Sequence, residues 1–339
     1  MTTTRPHEQV LSRYPSVQEW LELLGNLGRA SATLDAYGRG LAHYLLHCEG
    51  CKVKPESATF EDVTLYIRKL LPGEENAVAN STLHQRLTAI RLWYDHLVFQ
   101  GFCKQNPVPR GQHGRLLQVP EHGGFVRGLL PRLIKLPDIP TDEQWQHFLS
   151  ISANSSIRDR LMLSLAYCGA LRRAELVALR IEDLDVAHRL ISVRAETTKS
   201  KRSRIVCYSP EIAPVLIEHL HALHRAGWSR GALFRSESDR NRGSSLTRWT
   251  WSKMVEGWAR EAKLPNISTH TFRHLRLTHL ARAGWKLHEL TAYAGHRDPK
   301  TTLVYLHLSG ADLTAKMAYS VGSLDARMFS ELFGSGASQ

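Results

Sequence analysis

The stretch from residue 103 to residue 140 constrains this chain most. Six of the 14 prolines (Pro107, Pro109, Pro120, Pro131, Pro137 and Pro140) and five glycines fall inside it. Proline removes a backbone donor and fixes its own φ, and glycine raises the entropy that ordering must overcome, so such a run cannot carry a core. The chain must therefore fold as separate bodies on either side. With 339 residues, 42% of them hydrophobic, each side is long enough to bury an interior of its own. We place a tail at residues 1–13, a first domain at 14–105, a linker at 106–140, a second domain at 141–318 and a C-terminal tail at 319–339.

The first domain reads as helices throughout. Val17, Trp20, Leu21, Leu24 and Leu27 recur at helical spacing, as do Leu34, Tyr37, Leu41, Tyr44 and Leu45. Thr59 followed by Asp62 has the form of a capped start, and Val63, Ile67, Leu70 and Leu71 line one face behind it. Ser81 opens a longer helix that Gly101 stops, and Asn106-Pro107 then turns the chain away. The expectation is a four-helix bundle with Arg86, Arg91, His84 and Lys69 on its outer faces. The second domain is mixed. Thr141-Asp142-Glu143-Gln144 signals a helix start, with helices expected at about 158–167, 173–179, 211–226, 246–262, 272–283 and 287–294. Residues 189–193 and 204–208 read as two strands, joined by a turn carrying Lys199, Lys201 and Arg202. The fold class is thus mainly α with a small β-sheet (α+β).

Charge narrows the partners. There are 44 Lys and Arg against 32 Asp and Glu, a formal +12, and residues 103–140 alone carry six cations against two anions. A surplus of this kind suits a polyanion, and the linker can lie along a phosphate backbone. No segment approaches the roughly 20 apolar residues of a membrane span. The N-terminal residues lack an apolar signal core, so a cytoplasmic, nucleoid-associated location is expected. The 5 cysteines are scattered and odd in number, which disfavours a disulfide framework. Cys48-Glu49-Gly50-Cys51 is a C-x-x-C with no second pair, and reads as a chance spacing. His219-x-His221-x-x-His224 reads as a solvent-facing helix rather than a metal site.

Six polar residues in the second half carry the chemistry. Arg172 lies in Gly169-Ala170-Leu171-Arg172-Arg173-Ala174-Glu175-Leu176. His270 and Arg273 form an H-x-x-R in Thr269-His270-Thr271-Phe272-Arg273-His274. His296 closes Ala294-Gly295-His296, and Tyr305 follows nine residues later. Lys199 sits in the strand-joining turn. Each alone has an ordinary explanation, such as a helix-end charge, a turn lysine or a packed tyrosine; six in this order do not.

At these motifs the chain resembles the tyrosine recombinases of the phage integrase and Xer type. The resemblance covers nearly the whole length. Ser81-Thr82 and Asn106-Pro107-Val108 are similar to the family's helical core-binding (SAM-like) domain, and the best-matched stretch runs from Gly295 to Tyr305. The long linker departs from the Xer pattern, and Arg173 and Lys201 leave neighbours beside Arg172 and Lys199. We choose Arg172 because Glu175-Leu176 then follows at the family's spacing.

The resemblance implies a site-specific recombinase that cuts and rejoins duplex DNA through a 3′-phosphotyrosine. A phenolate can attack phosphorus and later leave, storing the bond energy without a cofactor. Tyr305 is the expected nucleophile. Arg172 and Arg273 would clamp the charge that builds on the non-bridging oxygens. His270 suits the base, Lys199 the acid, His296 a contact to phosphate or to Tyr305, and Glu175 support from behind. Arg86, Arg91, Lys201, Arg202 and Arg204 are the expected DNA contacts. Arginines and a lysine can replace metal ions, so no metal and no other cofactor is expected. The expected partners are duplex DNA with a specific site, further copies of the chain in a tetramer, and an accessory recombinase or DNA-bending protein; no membrane is among them. The stripe Leu324, Met328, Phe329, Leu332 and Phe333 packs on its own domain or, as the resemblance suggests, forms a C-terminal helix exchanged between subunits. The long basic linker favours integration, excision or transposition of a mobile element; resolution of chromosome or plasmid dimers and a non-catalytic DNA-binding role are the alternatives. A type IB topoisomerase shares the chemistry, but the helical first domain favours a recombinase.

Overall fold

The computed structural model describes residues 6–108, 130, 137–198 and 200–308. The chain divides into two compact units, with the boundary between Lys135 and Leu136.

The first unit is helical. It comprises α1 (Pro6–Leu11), α2 (Pro15–Asn26), α3 (Ser31–Gly50), α4 (Phe60–Arg68) and α5 (Asn80–Phe99). The expected cap at Thr59 is present: its backbone N–H donates to Asp62 Oδ2 at 2.8 Å and its Oγ1 accepts from Asp62 N at 3.3 Å. Tyr44, Trp93, Tyr94 and Leu41 are fully buried between α3 and α5. The Tyr44 and Tyr94 hydroxyls meet at 2.8 Å, and the Tyr94 hydroxyl donates to Pro55 O, so the aromatic centre leaves no phenol unsatisfied. Three expectations need correction. Residues 6–11 are helical, not tail, because Leu11 is buried in this core. Leu27 lies beyond the end of α2 and is exposed, so it is not a core position. The unit also continues past residue 105: Val108 is buried and Leu130 packs on the same core. Asn106 holds that exit by donating to Arg91 O and Asp95 Oδ1, each at 2.8 Å, while its Oδ1 accepts from Val108 N. Most of the expected linker lies outside the described residues.

The second unit opens with α6 (Asp142–Ser152), capped by Thr141 and Gln144 as the sequence predicts. It continues through α7 (Ile157–Cys168) and α8 (Arg173–Val177) to an antiparallel sheet. The sheet order is β1 (Leu184–Asp185), β2 (Leu190–Val193), β3 (Arg204–Cys207). Ile191 pairs with Val206, and both face the core with Val193. The helices α9 (Ala213–Arg225), α10 (Arg248–Glu261), α11 (Thr271–Arg282), α12 (Leu287–Ala294) and α13 (Lys300–Leu308) complete it. Trp145, Phe148, Trp251, Trp258 and Phe272 form its aromatic centre, with ring centroids 5.6–6.2 Å apart. Phe272 anchors α11 in that centre, which fixes the direction of the next residue, Arg273. Among the described residues no helix is long and apolar enough to cross a membrane.

Candidate active site

The site is assembled from four helix ends and one strand of the second unit. It starts at the turn between α7 and α8. Ala170 takes φ +45°, and a Cβ on Gly169 would stand 3.0 Å from both Leu171 Cγ and the buried Val206 Cγ2. The turn must therefore be narrow, and it leaves the Ala170 carbonyl pointing inward. A second such turn ends α12, where Gly295 adopts φ +61°. Its Cβ would meet Arg204 Cδ at 3.0 Å, so both backbone and space call for glycine.

Arg273 spans these two turns. Its Nη1 donates to Ala170 O at 2.6 Å and its Nη2 to Ala294 O at 2.5 Å. These carbonyls end α12 and follow the end of α7, where unpaired acceptors and the negative end of a helix dipole favour a cation. The Nη2 also lies 2.9 Å from His296 Nε2. A guanidinium has only donors, so Nε2 accepts, and the His296 proton resides on Nδ1, 2.9 Å from Thr302 Oγ1. Burial, then Arg273, Arg172 and Arg204, push the His296 pKa down to about 3, so the ring is neutral at physiological pH.

Arg172 caps α8 and reaches the same place. Its Nη1 donates to Glu175 Oε1 at 2.7 Å, its backbone N–H to Glu175 Oε2 at 2.8 Å, and its Nη2 to Gly295 O at 3.4 Å. The neighbouring Arg173 turns away to donate to Ser252 Oγ on α10. Arg172, and not Arg173, therefore reaches this cluster. Glu175 is 1% exposed and holds a second guanidinium: Arg204 donates to its two oxygens at 3.1 and 2.8 Å, and to Tyr293 O through Nε. Burial opposes ionisation of Glu175, but Arg204 and Arg172 outweigh it and hold the carboxyl at about 2. Arg204 was expected on the DNA. Its side chain is 6% exposed and bonds through Nε, Nη1 and Nη2 to Tyr293 O and Glu175, so that expectation is corrected: Arg204 lies inside the cluster and not on an outer face. Glu175, expected as support behind Arg172, sits against its guanidinium.

Charge in this cluster does not balance. The guanidiniums of Arg172, Arg204 and Arg273 face the single carboxylate of Glu175, which leaves 3 − 1 = +2. Burial first, then Arg172 and Arg204, lower the Arg273 pKa to about 9, still a cation at neutral pH. A buried surplus of positive charge is costly unless an anion completes it.

Tyr305 enters from α13, only 3% exposed, with its ring parallel to His296 at 6.2 Å between centroids. Burial raises the phenol pKa; Arg273 and Arg172 oppose that rise. Its hydroxyl lies 2.9 Å from Nδ1 of His274. The sequence reading gave the base role to His270 and none to His274. His270, the N-cap of α11, and His274 are one helical turn apart, so the H-x-x-R-H spacing already placed both on one face. His270 stands exposed at the helix start, its ring edge-on to that of His274 at 5.4 Å. Its solvent loss is therefore partial, yet burial, Arg273 and Arg172 still lower its pKa.

Lys199 lies outside the described residues. Its turn is stapled by Thr198, whose Oγ1 accepts from Arg202 N at 3.1 Å. Lys201, at φ +55°, and Arg202 are exposed on that turn. Arg86 and Arg91 are half-buried on α5 rather than fully outward. Among the described residues no group of three or more His, Cys, Asp or Glu could hold a metal. His219 is not solvent-facing: it is buried and bonds Leu233 O at 2.9 Å, while His221 and His224 are exposed.

Residues 140–311 match the phage integrase family. Among curated relatives, a tyrosine recombinase XerC of Chlamydia caviae is 31% identical over 258 residues, 74% of this chain and 74% of that protein. A tyrosine recombinase XerC of Herpetosiphon aurantiacus is 29% identical over 245 residues, 71% of this chain and 73% of that protein. Among solved structures, XerH bound to a palindromic difH substrate superposes with a TM-score of 0.63 at 18% identity, covering 92% of this chain and 87% of that one. The Tn1549 transposon integrase in complex with transposon right end DNA gives 0.61 at 17% identity, covering 86% and 94%. At these identities the structures speak for the fold.

Proposed function

The chain belongs to the phage integrase family, the tyrosine recombinases, and from that membership we propose that it cuts and rejoins duplex DNA at a specific site with Tyr305 as nucleophile. The observation that carries this reading is the +2 cluster of Arg172, Arg204, Arg273 and Glu175, with the Tyr305 hydroxyl held beside it. A scissile phosphate supplies the missing anion. Arg172 and Arg273, already oriented by protein acceptors, need little rearrangement to stabilise the charge that develops on its non-bridging oxygens. The Tyr305 oxygen attacks phosphorus, the 5′-oxygen departs, and a 3′-phosphotyrosyl link keeps the bond energy for resealing. His270, the base expected from the sequence, stands exposed at the rim and faces incoming DNA. His296 aligns Tyr305 through its parallel ring. Lys199 is the acid for the leaving oxygen. Lys201 and Arg202 contact phosphates beyond the site, and Arg86 and Arg91 do so from the first unit.

The biological setting is integration, excision or transposition of a mobile element, for which the long basic linker speaks. A second reading is resolution of chromosome or plasmid dimers, favoured by relatives that are XerC and XerD recombinases. Assembly is a tetramer on DNA, joined by residues 319–339 and aided by an accessory recombinase or a DNA-bending protein. Nicked duplex fragments from the flanks of the gene provide the test. The wild-type protein forms a covalent protein–DNA band on a denaturing gel and Tyr305→Phe does not; a band that survives Tyr305→Phe overturns the assignment. A cut at the ends of a flanking element supports the mobile-element reading, and a cut at a single chromosomal site supports resolution.

A further inference from the structure

We propose that His274 takes the proton from Tyr305 as the phenol attacks the phosphate. The proposal rests on the recombinase reading above and moves the base role expected of His270 to the histidine four residues on, which meets the Tyr305 hydroxyl.

The geometry is direct. Tyr305 is buried, and its hydroxyl lies 2.9 Å from Nδ1 of His274, within the reach a general base requires. The imidazole sits on α11 beside Arg273, so the helix that positions one phosphate ligand also positions the acceptor. The phenol comes from α13, and a proton acceptor across that gap fixes the direction of the attacking oxygen lone pair. The charged and titratable groups that face His274 are His270 at the cap of its own helix, Arg273 within that helix, Tyr305 on α13, and His296 on the turn before it. Burial, His270 and Arg273 lower the His274 pKa to about 4. In DNA-free protein the ring is therefore neutral, its lone pair can accept, and the phenol keeps its proton. An entering phosphate partly cancels the field of Arg273 and makes His274 more basic when the substrate is in place.

The step balances without any co-reactant. The Oη–H bond breaks and the proton passes to Nδ1. The Oη–P bond forms, the P–O5′ bond breaks, and its electron pair stays on O5′, which takes a proton from the acid assigned to Lys199. Resealing reverses each transfer: the incoming 5′-hydroxyl returns a proton to the acid, and the departing Tyr305 oxygen recovers its own from His274. One full cycle consumes no proton.

The test uses the full chain and the nicked duplex on which the wild-type protein forms its covalent band. His274→Asn keeps a polar atom near the position of Nδ1 but cannot accept a proton. Its single-turnover cleavage should fall by roughly 10²-fold or more, with DNA retention in a mobility shift essentially unchanged. His274→Ala should be equally slow, and added imidazole should restore part of its rate. Cleavage by His274→Asn at the wild-type rate, or a His274→Ala defect that imidazole leaves untouched, overturns the proposal. A second readout needs no DNA. The 13Cζ signal of Tyr305, assigned by its loss in Tyr305→Phe, should shift in His274→Ala; an unmoved signal removes the hydrogen bond and the proposal with it. A wild-type protein that forms no covalent band on any fragment counts against the recombinase reading, whereas the Tyr305 signal judges the His274 contact by itself.

Discussion

At the scale of single residues, the site depends on groups whose charge is set by their neighbours. Arg273 shows why arginine stands there. Its two terminal nitrogens reach carbonyls on two separate helix ends, which a lysine ammonium on one flexible stem cannot do. Arg273→Lys should keep DNA binding and slow covalent-complex formation by about 10²–10³-fold, the usual cost of losing a placed donor at a developing anion; near-normal cleavage would mean charge alone suffices. Acid should also weaken the fold. His296 and His274 have folded pKa values of about 3 and about 4, below the ordinary 6.5, and Glu175 about 2, below 4.5. In each case the unfolded chain binds more protons across the gap, so stability is fully present above the unfolded value and is lost as pH falls. The urea midpoint of the wild-type protein should hold above about pH 7 and decline below about pH 6.5, with Glu175 adding its share below about pH 4.5. His296→Asn should flatten the part of that decline between pH 6.5 and pH 4; an unchanged slope would contradict the assignment. Much of this scale was legible in the sequence. Arg172, His270, Arg273, His296 and Tyr305 all come together in one unit. His274 was given no role and Arg204 was placed on the DNA because a linear motif does not say which histidine of an i, i+4 pair meets α13, nor that an arginine on β3 points inward to a carboxylate on α8.

At the scale of elements, the arginine cage is held by turns and one cross-element ion pair. Gly295→Ala forces a side chain into a left-handed turn and against Arg204, for a cost of about 1–2 kcal/mol. That should lower Tm by several degrees, roughly 2–4 °C per kcal/mol for a unit of this size. Cleavage should fall further than the lost stability explains, because Ala294 O and His296 flank the turn. An unchanged Tm would show that the turn relaxes freely. Glu175→Gln leaves Arg204 and Arg172 partly unpaired in the interior and should destabilise by about 3 kcal/mol or more; paired chemical-denaturation curves would measure it. The long periodic helices and the strands β2 and β3 were readable because apolar spacing is visible over ten residues or a clean alternation. The two-residue β1 is too short to show a period. The helix α1 was passed over because a single buried Leu11 anchors it and no repeat accompanies it.

At the scale of the whole molecule, two units and a formal charge of +12 were apparent from composition and from the proline- and glycine-rich stretch. Their exact limits were less so: residues such as Val108 and Leu130 pack on the first core although their surroundings read as linker. Lys199 and the C-terminal stripe fall outside the described residues, so their roles rest on the resemblance alone. If phosphate contacts dominate, log affinity for DNA should fall linearly with log salt, and Lys201→Ala or Arg202→Ala should each reduce the slope by about one; slopes equal to wild type would remove both residues from the interface. The central claim is that Tyr305 becomes joined to DNA. The most direct measurement is mass spectrometry of the trapped complex after exhaustive nuclease and protease digestion. The account predicts a nucleotide linked through its 3′-phosphate to the peptide containing Tyr305. A nucleotide on another residue, or a 5′-phosphate link, would contradict it.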